Sequence, residues 1–465
     1  MKNISISIVV FFCSFCSLAQ SFSSANIINS EVRNVNAVSA EDLDGDGNND
    51  ILVCYTNVSG SFISWFKNMD GTGAFGAEQH ITNGVGQSFS IVAADIDNDG
   101  DMDVLATSFD NRLVMWFENT DGQGNFGPQQ PIDDNGTGAG AHSTIAADVD
   151  DDGDMDVIAA FDLDFLAWYE NTDGQGSFGP RQVITNIATN ARSIQTADFD
   201  GDGDLDIATS SSGNITVAWF ENTDGQGTFG PEHIIAGAAS AVITIFAVDM
   251  DGDGDMDIIK GTNATDEIAW HENIDGEGNF GPSQIITTEA EFVRDVVAID
   301  VDNDGNMDVI SASSSDNKIA WYKNLNGTGS FGVQQIIDSN LENPRTVYAT
   351  DLDGDGYPDA ISGTRYNGPE TDFRLVWYKN QTYLDIEENN VIDLQIYPNP
   401  VKDILFITAP TEIIETITVY DVLSKVILQK TKNVAQINVS GLPSGMFLMK
   451  IQTGNGVITK KIIKE

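Results

Sequence analysis

Short apolar runs recur along this chain, rich in β-branched and aromatic residues and fenced by Asp, Asn and Gly. Asp50-Ile51-Leu52-Val53-Cys54-Tyr55 and Asp156-Val157-Ile158-Ala159-Ala160 are two of them. Their length and composition predict strands. Ile319-Ala320-Trp321-Tyr322 is apolar on both alternating faces, which predicts a strand covered on both sides. The last seventy-odd residues alternate apolar and polar instead, as in a small β-sandwich.

The strand pattern repeats. One Trp falls in each of seven repeats: Trp65, Trp116, Trp168, Trp219, Trp270, Trp321 and Trp377. Ten residues after each of the first six comes a Phe, at Phe75, Phe126, Phe178, Phe229, Phe280 and Phe331, followed by Gly. An Asp-Gly or similar turn lies between, as in Asp121-Gly122, and signals a hairpin. The unit predicted is a strand, an acidic loop, a second strand, a Trp strand, a turn and a fourth strand carrying the Phe. Four short strands in about fifty residues, written seven times, define an all-β chain and the blade of a seven-bladed β-propeller. The seventh repeat lacks its Phe-Gly, and Gln20-Ser21-Phe22-Ser23 resembles Gly176-Ser177-Phe178-Gly179. Phe22 precedes Asp42 by 20 residues, the spacing in five of six internal copies. The N-terminal strand is therefore expected to close the ring on the last blade, removing its exposed edges.

Between the first two strands of every repeat stands D-x-D-x-D-G-x-x-D, with aspartates at positions one, three, five and nine. They are Asp42, Asp44, Asp46 and Asp50; Asp95, Asp97, Asp99 and Asp103; Asp148, Asp150, Asp152 and Asp156; and Asp198, Asp200, Asp202 and Asp206. The remaining three loops hold Asp249, Asp251, Asp253 and Asp257; Asp300, Asp302, Asp304 and Asp308; and Asp351, Asp353, Asp355 and Asp359. Four bare carboxylates in nine residues repel one another, so the loop makes sense around a hard cation. Oxygen donors at positions one, three and five, Gly at six and a backbone carbonyl at seven are calcium chemistry. An EF-hand would need a bidentate Glu at position twelve, where these loops have Val53, Ala106, Ala159, Thr209, Lys260, Ser311 and Ser362. Up to seven structural Ca²⁺ ions are expected.

Loop, Trp and Phe-Gly in register resemble the FG-GAP or VCBS repeats, the calcium-bearing propellers that include the integrin α-subunit head. The resemblance covers residues 20–383 and implies that the loop aspartates ligate calcium. A second resemblance lies at the C-terminus. Ile396-Tyr397-Pro398-Asn399-Pro400, then Ile417-Thr418-Val419-Tyr420-Asp421, Leu442-Pro443-Ser444-Gly445 and Lys460-Lys461-Ile462-Ile463-Lys464 follow in order. Together they are similar to the C-terminal sorting domain of the Bacteroidetes type IX secretion system, which implies export and then release or surface attachment. The expected organisation is a signal peptide over 1–19, the propeller over 20–383, a linker over 384–393 and the sorting domain over 394–465.

The first segment carries Lys2, an apolar run from Ile4 to Phe15 and Ser17-Leu18-Ala19, which suits signal peptidase and is too short for a membrane span. It removes Cys13 and Cys16, leaving Cys54 on an apolar strand, expected as a buried inert thiol. Nearly all of the net charge of −49 belongs to the propeller. Seven divalent ions would leave a surface still hostile to nucleic acid and anionic lipid.

Catalysis finds no motif. His80, His142, His233 and His271 lie in no nucleophile, zinc or triad pattern, and His271 is expected as a packed aromatic substitute. The Trp residues read as packing between blades rather than as sugar platforms. The expected function is a secreted or cell-surface binding and adhesion module, monomeric, for a glycan or an extracellular protein. The alternatives are a polysaccharide lyase on a calcium propeller and a purely structural surface protein. Specificity is expected where repeats differ: the stretch with Arg365, Tyr366, Asn367 and Arg374 in repeat seven, and the connection from Asp133 to His142.

Overall fold

The computed structural model describes residues 19–133, 140–162, 165–237, 240–365, 373–383, 395–408, 414–420, 425–431, 435–453 and 456–465. They fall into two compact units, Gln20–Thr382 and Tyr383–Glu465. Strands are the only regular elements among the described residues, and no helix there is long and apolar enough to cross a membrane.

The first unit repeats one four-stranded antiparallel sheet seven times. In repeat one the strands are Val35–Glu41, Asp50–Asn57, Gly60–Phe66 and Gln79–Asn83. The second strand of every repeat begins on the ninth-position aspartate, opposite the residue that precedes the loop, as in Glu41↔Asp50 and Ile299↔Asp308. These second strands and the Trp strands beside them are almost entirely buried, which explains their continuous apolar character. The first strand of each repeat also touches the first strand of the next, and Val347–Thr350 of repeat seven touches Val35–Glu41 of repeat one.

The Phe-Gly pair does not sit in the fourth strand as the spacing predicts. Each Phe makes one isolated bridge to an Asn, Asn68↔Phe75 in repeat one, and the fourth strand starts four residues later at Gln79. The Asp-Gly hairpin is thus closed at its base, and the Phe ring turns onto the Trp of the preceding repeat. Phe75 meets Trp377 edge-on at 6.4 Å. The N-terminal copy follows the same rule. Phe22 meets Trp321 edge-on at 6.5 Å, and Asn26–Asn29 pairs with Leu375–Tyr378 to give repeat seven its fourth strand.

All seven Trp residues are buried, none more than 6% exposed. Each apolar cluster of the unit joins the Trp of one repeat to the Phe of the next. Gly124 shows how tight this is: a Cβ there would lie 2.2 Å from the Trp65 ring, and its φ of +74° is left-handed. Cys54 is fully buried and burial pushes its thiol up to about 11. His271 is buried too, its Nδ1 3.0 Å from the Gly281 carbonyl oxygen, as a packed aromatic substitute would be.

The second unit holds a three-stranded sheet, Gln395–Tyr397, Ile404–Thr408 and Gln436–Asn438, and a four-stranded one built on Ile414–Tyr420 and Gly445–Thr453. Leu405 and Ile437 of the first sheet share one core with Ile417, Val419, Met449 and Ile451 of the second. Two sheets around one core are the small sandwich that its alternating pattern predicts.

Candidate metal centres and cavity

The seven aspartate loops share one internal geometry. The position-one carboxylate accepts from the backbone N–H of the position-six glycine at 2.7–3.1 Å in every copy, from Gly47 to Asp42 through Gly356 to Asp351. The position-five carboxylate accepts from the position-seven N–H at 2.9–3.0 Å. Position four is left-handed throughout, with Gly in four loops and Asn98, Asp151 and Asn303 in the others, residue types that tolerate αL best.

The ninth aspartates, Asp50, Asp103, Asp156, Asp206, Asp257, Asp308 and Asp359, are fully buried. One oxygen accepts from the position-two N–H, 3.0 Å from Phe199 to Asp206. The other accepts from the backbone N–H of the Asn three residues past the Trp, at 2.7–2.8 Å in all seven. Burial still pushes each carboxyl up to about 7, and the charge of the position-three aspartate adds to it in every copy.

That Asn was not singled out in the sequence, although Trp-x-[Glu/Lys]-Asn recurs in register with every Trp. Its side-chain amide donates across to the loop of the preceding repeat. Asn119 reaches the Leu43 carbonyl at 2.9 Å, Asn171 reaches Ile96 at 2.8 Å and Asn222 reaches Val149 at 2.9 Å. Asn273, Asn324 and Asn380 continue the series onto Phe199, Met250 and Val301. Asn68 of repeat one donates to Leu352 of repeat seven at 2.8 Å.

The position-three carboxylates stand apart from the rest of the loop. One oxygen each of Asp44, Asp97, Asp150, Asp251, Asp302 and Asp353 is buried without a hydrogen-bond partner. A buried carboxylate oxygen without a partner is costly. Oxygens of Asp42, Asp44 and Asp50 lie within 4.8 Å of one another, as do those of Asp148, Asp150 and Asp156, and of Asp95, Asp97 and Asp99. These clusters of hard donors could hold a metal ion.

A different site lies where all seven first strands meet. A cavity of about 650 Å³ is lined by residues of every repeat, among them Phe89, His142, Arg192, Arg294, Arg345 and Tyr348. A neighbouring cavity of about 380 Å³ shares Arg294 and Arg345 and adds Ser314, Asn317 and Asn343. Arg294 stacks over Phe292 at 4.2 Å and donates to the Ser314 hydroxyl at 3.2 Å. Burial pushes its pKa down to about 10, and the charges of Arg365 and Arg192 press the same way. Arg345 Nε and Arg365 Nη1 are buried with no acceptor. Of the variable stretches expected to carry specificity, Arg365 and His142 fall at or beside this site, while residues 134–139 and 366–372 lie outside the described residues.

Strand-only repeats with an acidic loop after each first strand define the class of this protein. The FG-GAP-like repeat matches residues 42–106, 95–159, 148–209, 198–260 and 300–362, and the chain belongs to this family. Residues 395–465 match the secretion system C-terminal sorting domain, which marks the chain for type IX export to the outside or the surface of the cell. No curated protein matches the sequence. Among solved structures, the fold is similar to that of an Agrocybe aegerita lectin described as recognising non-reducing terminal N-acetylglucosamine. That likeness has 20% identity and a TM-score of 0.52, covering 73% of this chain and 87% of the lectin. It is similar too to BBS1N in complex with ARL6DN, at 9% identity and a TM-score of 0.53, covering 77% and 96%.

Proposed function

We propose that the seven sheets are the blades of one closed propeller, that aspartate loops bind Ca²⁺ structurally, and that the displayed ring binds an anionic glycan. Two pairings support closure: Asn26–Asn29 on repeat seven, and Asn68 on Leu352. Calcium is supported by the all-oxygen donor set, with positions one, three, five and nine as ligands, and by the partnerless oxygens of Asp97, Asp150 and Asp251 at position three. When bound, the ion would neutralise the crowded carboxylates and fix each loop as a rigid hairpin.

The binding reading rests on one observation. In a chain of net charge −49, three arginines line one cavity, and Arg345 and the nearby Arg365 keep buried N–H groups without acceptors. Guanidinium groups in a partly apolar cavity suit carboxylate or sulfate groups, which they bind in a bidentate way. Phe89 and Tyr348 line the same cavity, and aromatic side chains are common in sugar sites. The lectin neighbour lends a direction at the level of the fold, and no more.

The test is binding of the full chain to arrayed uronate-bearing or sulfated glycans against neutral ones, in calcium. Acidic glycans should be retained, and Arg345→Gln should weaken that binding about tenfold or more. Equal retention of neutral glycans, or unchanged binding by Arg345→Gln, would remove this reading.

A further inference from the structure

The seven loops are alike in backbone and unlike in the charge that faces them. Two residues past the Trp stand Lys67, Lys323 and Lys379 in repeats one, six and seven, and Glu118, Glu170, Glu221 and Glu272 in repeats two to five. Each lysine turns into its own loop. Lys67 pairs with Asp44 and, at 2.8 Å, with Asp46. Lys323 pairs with Asp302 and, at 2.8 Å, with Asp304; Lys379 pairs with Asp353 and, at 3.0 Å, with Asp355. These are the position-three and position-five carboxylates, two of the four ligands assigned to the ion. The glutamates occupy the same slot with the opposite sign, close enough that Glu118 repels Asp97, Glu170 Asp150, Glu221 Asp200 and Glu272 Asp251.

A second feature of the sequence divides the loops the same way. Position seven is Asn48, Asn306 or Tyr357 in the three lysine loops and Asp101, Asp154, Asp204 or Asp255 in the four glutamate loops. The correspondence has no exception. A lysine loop therefore carries four aspartates and one lysine, a net charge of −3. A glutamate loop carries five aspartates and one glutamate, −6, with Asp151 adding one more in repeat three.

We propose that the loops form two classes: four calcium sites in repeats two to five, and three loops in repeats one, six and seven whose lysine takes the place of the ion. The proposal rests on the calcium reading above and refines it. An ammonium group is a compact cation with three donors, so it can bridge two carboxylates much as a small metal ion does. A divalent ion entering such a loop must displace a cation already paired there. A glutamate loop has no cation of its own, and its crowded like charges favour uptake of one.

The lysine loops are contiguous around the point of closure. Repeat seven receives the N-terminal strand, repeat six packs its Trp321 on Phe22, and repeat one follows the join. The seam of the ring is thus held by internal cations, and the arc opposite it depends on calcium.

The test is a count of calcium ions bound per full chain, by equilibrium dialysis against about 1 mM calcium chloride with metal analysis. Four ions are expected. Any other non-zero count overturns the two-class division and leaves the calcium reading standing, whereas no bound calcium removes the calcium reading itself. Lys323→Glu should raise the count to five and Glu170→Lys should lower it to three. Should Lys323→Glu fail to fold, Lys323→Met serves in its place and Glu170→Lys stands as an independent check. Variants that fold and leave the count unchanged would overturn the assignment of these side chains.

Discussion

The first strand of a repeat carries opposite chemistry at its two ends. In repeat six, Arg294 stands near the start of Val293–Ile299 and Asp300 follows its end. The six-residue separation corresponds to roughly 20 Å of extended chain. At the acidic end the same loop is built seven times over, down to the hydrogen bonds of its first and ninth aspartates. At the basic end the repeats disagree: arginine lines the cavity from repeats four, six and seven only, and His142 from repeat three. Repetition at one end and variety at the other are what the proposed function predicts of a scaffold and a binding site within the same strand.

The sharpest way to break this contrast is a pair of substitutions, one at each end. Asp206→Ala leaves two buried N–H groups, those of Phe199 and Asn222, without acceptors. It should cost about 3 kcal/mol or more in urea denaturation. Arg345→Gln should change stability by no more than about 0.5 kcal/mol, because no ion pair is lost. Similar losses at both ends would erase the distinction.

A somewhat smaller effect tests the join. Asn68→Ala removes the amide that donates to Leu352 and to Asn49, one of the links between the first repeat and the last, beside the Asn49 amide on Thr350 and Asp351. If repeats one and seven are neighbours in solution, it should cost about 1–3 kcal/mol, as much as Asn222→Ala does. A silent Asn68→Ala beside a costly Asn222→Ala would mean that the ring does not close there.

The smallest prediction concerns pH at the basic end. His142 is packed between Phe89 and Phe109, with Arg192 and Asp162 as its charged neighbours. Burial, with the Arg192 charge adding to it, pushes its pKa down to about 3. The unfolded chain therefore takes up the proton first. The stability it contributes is complete above the ordinary histidine pKa of about 6.5 and is lost as pH falls toward the folded value. Between pH 7 and pH 5 the wild type should lose about 1–2 kcal/mol more than His142→Phe, measured by denaturant melts at each pH. Parallel losses in the two proteins would show that His142 is not held neutral.

Much of the acidic end was legible in the sequence because each of its signals is local and recurs in register. The loops, the buried Trp strands and the N-terminal strand that completes repeat seven all follow from spacing. The Phe-Gly pair misled by a few residues, since one bridge that closes a hairpin reads like a strand until the pairing is seen. Asn119 and its equivalents went unnoticed because their partners lie some 75 residues away, in the preceding loop. Lys67, Lys323 and Lys379 take on meaning only when each is seen to turn into its own loop. The basic end was hidden for a deeper reason: Arg192, Arg294 and Arg345 come from repeats four, six and seven, and only convergence of the first strands brings them to one cavity.

The central claim, that acidic loops clasp the blades by holding calcium, is tested most directly by a thermal melt of the full chain in about 1 mM calcium and again in excess chelator. At a site Kd of about 0.1 mM each bound ion stabilises the fold by roughly 1.4 kcal/mol. Four ions together should then raise the melting temperature by about 10 °C. A fall of that size on chelation, reversed by calcium and not by an equal concentration of magnesium, is the predicted result. The same melting temperature with and without chelator would contradict the account.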